Sequence, residues 1–268
     1  MLVIGEFKKL EKIVTNPSSF SLLLRLISKV PNRRSILMIK VVSFKICPFV
    51  QRVTALLEAK EIPYEIEYIS LKDKPGWFLE ISPNGQVPLL ITDSGVALFE
   101  SDAIVEYIED EFGPLQDKLS NEEKAVQRAW SYLGTKHYLM QCGTMSSKDK
   151  ATFDERAGKL QLVFQKAEKQ LTGDTRFFDS NELGKVDVAW LPLLHRAAII
   201  KEKSGFDFLC GLPKLQAWQH AVLETGYALK SVSSDFVERF SDFYLKNTYL
   251  GEGKDVATSQ CGSSSCCG

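Results

Sequence analysis

The hydrophobic pattern of the chain changes character at Pro114. Before this residue, short apolar runs typical of strands alternate with stretches of helical periodicity. After it, apolar residues recur at helical spacing throughout. Mixed strands and helices followed by helices alone indicate an α+β region that precedes an all-α region. A length of 268 residues is enough for two modest domains, each with its own core.

The first region is predicted to contain four strands and three helices in the order β-α-β-α-β-β-α. The predicted strands cover residues 36–44, 64–69, 88–91 and 97–99, and the predicted helices cover 49–60, 77–81 and 101–112. Turn residues separate them, among them Pro83-Asn84-Gly85 and Asp93-Ser94-Gly95. The pattern therefore predicts one small sheet with helices packed against it.

The second region is predicted to be a bundle of five helices, over residues 121–141, 148–171, 186–203, 213–224 and 233–243. Residues 1–37 are basic, with seven Lys and Arg against two Glu. We interpret them as a flexible extension, with an amphipathic segment that contacts a membrane as the alternative. Residues 251–268 are polar and predicted to be disordered. The predicted divisions are thus 1–37, 38–114, 115–250 and 251–268.

Composition excludes several function classes. The net charge is −1, so the chain lacks the overall basic field typical of nucleic-acid binding proteins. No apolar run reaches the roughly 18–20 residues that span a bilayer, which predicts a soluble protein. Six cysteines without a paired spacing favour a reducing, cytoplasmic compartment. His137, His195 and His220 have no metal-ligand spacing, so no metal is expected.

Cys47 stands between the end of a predicted strand and a helix that Pro48 opens. The first N–H groups of a helix are unpaired and carry partial positive charge, so they stabilise a thiolate. We therefore expect a pKa of Cys47 below the usual value for a thiol, with Lys45 as a second positive charge. The alternative is a buried structural cysteine. Val50 occupies the position of a second redox cysteine, so an external thiol, or one elsewhere in the chain, must resolve any disulfide at Cys47.

Four stretches resemble the N-terminal domain of omega-class glutathione transferases, in the same order and at similar spacing. They are Cys47-Pro48-Phe49, the run from Leu71 to Phe78, the run from Pro83 to Pro88, and Glu100-Ser101. The resemblance covers residues 38–112, and the helical region is similar in pattern only. It implies the glutathione transferase fold, an α+β arrangement with a thioredoxin-like glutathione-binding domain followed by an all-α helical bundle domain.

The resemblance also implies roles for five residues in holding glutathione as co-substrate. Val87-Pro88 resembles the cis-proline turn of the family, which leaves the Val87 backbone free to pair with the tripeptide. Glu100 would pair with the γ-glutamyl ammonium group, and Ser101 at a helix N-terminus would hold the neighbouring carboxylate. Lys74 would contact the glycyl carboxylate. The alternatives are a trans turn proline, a helix cap without ligand and a solvated lysine.

The helical region carries two further features. Gly184 stands where the family's capping box usually has Ser or Thr, and Asp187 is expected to cap the following helix. Trp130, His137 and Tyr138 are predicted to line a second-substrate pocket or to pack in the core, and the sequence leaves both open.

Three cysteines crowd the last eight residues, namely Cys261, Cys266 and Cys267. Such a pair-containing tail resembles the C-terminal thiols of certain thioredoxin and mercuric reductases. It could supply a resolving thiol for Cys47 or bind a soft metal, and the alternative is a tail without a dedicated role.

The resemblance implies a glutathione-dependent thiol transferase that acts on small electrophilic or disulfide substrates and forms a homodimer. In this hypothesis Cys47 forms a mixed disulfide with glutathione, which a second glutathione resolves. The alternatives are conjugation of glutathione to electrophiles and a non-enzymatic interaction module.

Overall fold

The computed structural model describes residues 39–252. The predictions for the basic segment 1–37 and for the tail cysteines Cys261, Cys266 and Cys267 lie outside the described residues. Within them the chain forms four strands and eleven helices.

The first seven elements follow the predicted order. They are β1 (Ile39–Ser43), α1 (Pro48–Ala59), β2 (Tyr64–Tyr68), α2 (Gly76–Ile81), β3 (Leu89–Ile91), β4 (Ala97–Phe99) and α3 (Ser101–Phe112). The strands form one sheet in the order β2-β1-β3-β4. β1 runs parallel to β2 and antiparallel to β3, and β3 runs antiparallel to β4. This is the thioredoxin-like arrangement, so the predicted fold of the first region is confirmed.

The sheet is built around the buried strand β1. Its β-branched residues Ile39, Val41 and Val42 are almost fully buried, as expected for a strand covered on both faces. Val42 pairs with Leu89, so the end of β1 lies beside the start of β3. The loop after β1 and the turn before β3 therefore lie at the same edge of the sheet, the one where β1 ends and β3 begins. That edge carries Cys47 and Pro88.

The remaining elements are all helical, which confirms the predicted all-α second region. They are α4 (Asn121–Lys136), α5 (Tyr138–Met145), α6 (Lys150–Gln170), α7 (Lys185–Ser204), α8 (Pro213–Glu224), α9 (Tyr227–Lys230), α10 (Phe236–Tyr244) and α11 (Tyr249–Glu252). In α7, 14 of 20 residues are buried, because this helix is apolar on nearly all sides. It packs against α4 and also against α1, so it joins the helical region to the sheet region.

The prediction of one helix over residues 121–141 is wrong. The chain leaves α4 at His137 and re-enters a helix at Tyr138. The backbone N–H of His137 donates to Gly134 only three residues earlier, and its Nδ1 lies 2.6 Å from the Leu133 carbonyl oxygen. These local bonds tighten the last turn and re-aim the chain.

Asp187 caps α7, as expected. Its carboxylate accepts hydrogen bonds from Gly184 N at 2.7 Å, Phe178 N at 2.9 Å and Trp218 Nε1 at 2.6 Å. The structure also explains Gly184, because a Cβ there would lie 2.7 Å from Oε1 of the buried Gln116. Serine or threonine at this position would therefore require the Gln116 side chain to shift.

Within residues 39–252, no helix is long and apolar enough to cross a membrane.

Candidate active site around Cys47

Cys47 is the N-cap residue of α1. A turn after β1, closed by a 2.9 Å hydrogen bond from Cys47 N to the Phe44 carbonyl, brings the chain to the helix. Pro48 then occupies the first helical position. The side chain of Cys47 is partly exposed and forms no disulfide. The sequence therefore predicted the place of this thiol correctly.

The predicted direction of the Cys47 pKa is wrong. Burial raises the pKa of Cys47 above its ordinary value, and this is the largest effect on the thiol. The backbone N–H groups of Val50 and Phe49 act in the opposite direction, as expected at a helix N-terminus, but they do not outweigh burial. Burial of the site therefore opposes ionisation of the thiol, and the helix N-terminus favours it.

The ammonium group of Lys45, expected to be a second positive charge near Cys47, is paired with a carboxylate instead. It forms a 2.6 Å ion pair with Asp235 and lies 5.6 Å from the centre of the Tyr68 ring. The cation that lowers the pKa of Cys47 is instead Arg196 of α7. Sequence reasoning missed Arg196, although a charged residue inside an apolar helix such as Val186–Ile200 is a signal that could have found it.

Four of the predicted ligand residues line one cleft of about 120 Å³: Val87, Pro88, Glu100 and Ser101. The Val87-Pro88 peptide bond is cis, as predicted. Phe49, two residues after Cys47, lines the same cleft. The helix that Cys47 caps therefore contributes to the wall of the cleft, although Cys47 itself is not part of its lining.

Glu100 precedes α3 in a strained backbone conformation. Its φ of 65° lies in the left-handed region, which is uncommon for a residue other than glycine. Its carboxylate accepts a 2.8 Å hydrogen bond from Asn84 Nδ2. Such strain often accompanies functional sites. Ser101, the next residue, opens α3 and is buried.

Lys74 lies outside the lining of the cleft. Its ammonium nitrogen lies close to Gly85, because it would be 3.6 Å from a Cβ atom added to that glycine. Gly85 adopts a φ of 58° in the turn that leads to the cis bond at Val87-Pro88. Lys74 is therefore at the rim of the cleft, on the side of this turn.

A larger cavity of about 490 Å³ is lined by residues of the loop that leads to Cys47. The residues just before Cys47 form one wall, the end of β2 forms another, and α10 closes the third. Its lining comprises Phe44, Lys45, Ile46, Tyr68, Ile69, Ser70, Arg239, Asp242 and Phe243. Asp235, at the start of α10, pairs with both Lys45 and Arg239 (3.2 Å) and so fixes α10 over the loop.

Trp130 and Tyr138 are packing residues. The Trp130 ring packs at a tilt against the rings of Phe178 and Trp190. Its backbone carbonyl accepts a hydrogen bond from Trp190 Nε1. Tyr138 is 1% exposed and donates to the Ala189 carbonyl. No group of three or more metal-ligating side chains occurs among residues 39–252.

Two family models match the chain. The model described as "Glutathione S-transferase, N-terminal domain" matches residues 46–111, and the one described as "Glutathione S-transferase, C-terminal domain" matches residues 150–218. The first match contains Cys47 and the whole lining of the small cleft except Leu139.

Individual proteins show the same similarity. Glutathione S-transferase omega-1 of Rattus norvegicus is 32% identical over 203 residues, which are 75% of this chain and 81% of the relative. The omega-1 protein of Sus scrofa is 29% identical over 215 residues, 79% of this chain and 88% of the relative. Among solved structures, rice GST1 in complex with glutathione has a TM-score of 0.67 at 23% identity, over 78% of this chain and 96% of that chain.

Proposed function

The chain belongs to the glutathione S-transferase family, and we propose that it is a thiol transferase in which Cys47 is the covalent nucleophile. The observation that carries the proposal is the placement of a partly exposed thiol at the N-terminus of α1. The cleft lined by Val87, Pro88, Glu100 and Ser101 is also lined by Phe49, two residues after that thiol. A family member whose own cysteine stands at this position can form a bond to sulfur, rather than only orient the thiol of glutathione.

The small cleft is the proposed glutathione site. The open backbone of Val87 beside the cis Pro88 would pair with the tripeptide backbone. Ser101 and the first N–H groups of α3 would hold the γ-glutamyl carboxylate, and Glu100 would accept from the γ-glutamyl ammonium group. Asn84 already orients the Glu100 carboxylate for this contact. Lys74, at the rim, would meet the glycyl carboxylate.

The proposed reaction is two successive thiol–disulfide exchanges. The Cys47 thiolate attacks the glutathione sulfur of a mixed disulfide, so a Cys47–glutathione disulfide forms and the substrate leaves as a thiolate that takes up a proton. A second glutathione, as its thiolate, attacks the glutathione sulfur of this intermediate. Oxidised glutathione leaves, and the Cys47 thiolate is restored.

The larger cavity is the proposed site of the second substrate. Its walls are mostly aromatic and aliphatic, namely Phe44, Ile46, Ile69 and Phe243. The charged groups at its edge largely pair with each other through Asp235. The cavity therefore suits a substrate with an apolar body, such as a glutathionyl ketone or an apolar mixed disulfide, more than a free anion.

The raised pKa of Cys47 sets the expected pH dependence. Because burial raises the pKa of the thiol, the fraction of thiolate grows as pH rises toward the pKa. We expect the rate of disulfide reduction to rise with pH from 7 to 9.

An activity panel tests the proposal. Cys47→Ser should abolish reduction of a small mixed disulfide, whereas Cys210→Ser, a matched change at another partly exposed thiol, should leave it unchanged. Conjugation to an aromatic halide, measured on the same proteins, separates the competing function, since that reaction needs only the thiolate of glutathione. Full disulfide reduction by Cys47→Ser would contradict the proposal, and conjugation by both variants without any disulfide reduction would favour a conjugating transferase.

We also propose that the chain works as a cytoplasmic homodimer with domains at 38–114 and 115–250. Glutathione and reduced thiols are maintained in that compartment. Light scattering of the purified full chain would test the assembly, and a monomer mass would contradict it.

A further inference from the structure

Arg196 is a fully buried arginine whose hydrogen bonds go to neutral groups. Its NH2 donates to the Ile46 carbonyl at 3.1 Å, and its NH1 donates to the Pro192 carbonyl at 3.1 Å and to Gln51 Oε1. The guanidinium carbon lies 5.4 Å from the centre of the Phe236 ring. Its Nε is buried without a partner.

The guanidinium has no carboxylate partner in the described part of the chain. Buried arginines are normally paired with an acid, because an unpaired charge in the interior is costly. Arg52 of α1 is buried to a similar degree and follows that rule, because it pairs with Asp102. The charge of Arg196 is therefore available to a group that becomes negative only during the reaction.

Cys47 is such a group, as is Cys142, the other thiol on which the Arg196 charge acts. Arg196 binds the carbonyl of the residue just before it, and its charge acts on the Cys47 sulfur. The other titratable groups that interact with Cys47 are Cys142 and Tyr138 of α5 and Tyr244 of α10. Burial raises the pKa of both tyrosines, so they stay neutral across the working pH range. Arg196 is thus the only cation among the groups named as acting on Cys47 within residues 39–252.

We propose that Arg196 is a positioning residue for the proposed reaction, because it fixes the Ile46 carbonyl in front of Cys47 and supplies the counter-charge for the Cys47 thiolate. The inference rests on the proposed role of Cys47. It assigns part of the chemistry to the helical region, since Arg196 reaches the Ile46 carbonyl from α7, which packs against α1.

The test is the pH dependence of Cys47 alkylation by iodoacetamide in the full chain, with the modified peptide quantified by mass spectrometry. Arg196→Gln should raise the midpoint, the pH at which alkylation reaches half its maximal rate, by about one unit, so that alkylation at pH 7 becomes about tenfold slower. The maximal rate at high pH should not change. Arg196→Lys, which keeps the charge, should recover most of the shift. Arg52→Gln is the matched control and should leave the midpoint in place.

Gln51→Glu provides a second variant in case Arg196→Gln does not fold. It keeps the Arg196 side chain but adds a carboxylate at the atom that NH1 already contacts, so it should also raise the midpoint. An unmoved midpoint with a lower plateau would overturn the inference and leave Arg196 a purely structural role. Alkylation needs no glutathione, so this test does not depend on the proposed activity. The proposed activity fails if Cys47→Ser still catalyses transfer, whereas the role of Arg196 fails if the alkylation midpoint does not move.

Discussion

Replacing Asp187 by alanine should be one of the most destabilising changes in the helical region. Asp187 is completely buried and accepts three N–H groups, from Gly184, Phe178 and the indole of Trp218. An unpaired buried donor costs about 1–3 kcal/mol. If one of the three donors regains a water molecule, the other two would cost roughly 4 kcal/mol of unfolding free energy. Part of this loss is offset, because burial raises the pKa of Asp187 to about 6 and its charge is therefore unfavourable at pH 7.5.

The assay is urea unfolding at pH 7.5, followed by far-ultraviolet circular dichroism. Asp149→Ala is the matched control, because Asp149 also caps a helix with its carboxylate, at the start of α6, but is exposed. Water replaces the lost acceptor there, so the control should lose much less stability. Equal losses for Asp187→Ala and Asp149→Ala would refute the reasoning, because burial of the donors would then make no difference.

Two further predictions concern the same core. Gly134→Ala places a Cβ 2.9 Å from the Trp190 ring and should destabilise the protein by about 1–3 kcal/mol through overpacking. Gly158→Ala, where a Cβ meets no atom within 4 Å, should stabilise it slightly. Thermal melts in which both variants shift the midpoint in the same direction would contradict this. Burial lowers the pKa of His195 to about 3, so the unfolded chain binds a proton that the fold does not, and stability should fall by up to about 1.4 kcal/mol per pH unit below pH 6.5. His195→Gln should remove this slope in urea titrations at pH 5 and 7, and an unchanged slope would disprove it.

Local sequence signals predicted the part of the site that lies on the sheet region. The junction at Cys47-Pro48 and the start of α3 at Ser101 follow from helix-start chemistry. The cis bond at Val87-Pro88 followed from resemblance to the family. In each case the residues that determine the feature are neighbours in the chain, so a single sequence contains enough information.

Features that depend on distant residues were not predicted. Burial raises the pKa of Cys47, and the cation that opposes this effect, Arg196, lies on α7 of the helical region. The pairing of Lys45 with Asp235 joins residues 190 positions apart and leaves Arg196 as the cation at the thiol. The group that a side chain at Gly184 would meet, the amide of Gln116, is likewise distant in the sequence. Sequence patterns locate such residues, but packing decides which of them meet.

The central claim is that Cys47 itself carries glutathione during turnover. The most direct measurement is mass spectrometry of the full chain, quenched with acid after mixing with a glutathione mixed disulfide, with peptides mapped without reduction. We expect one glutathione bound to the peptide that contains Cys47 and none on that peptide in Cys47→Ser. Glutathione found only on other cysteines, in a protein that still reduces the disulfide, would contradict it.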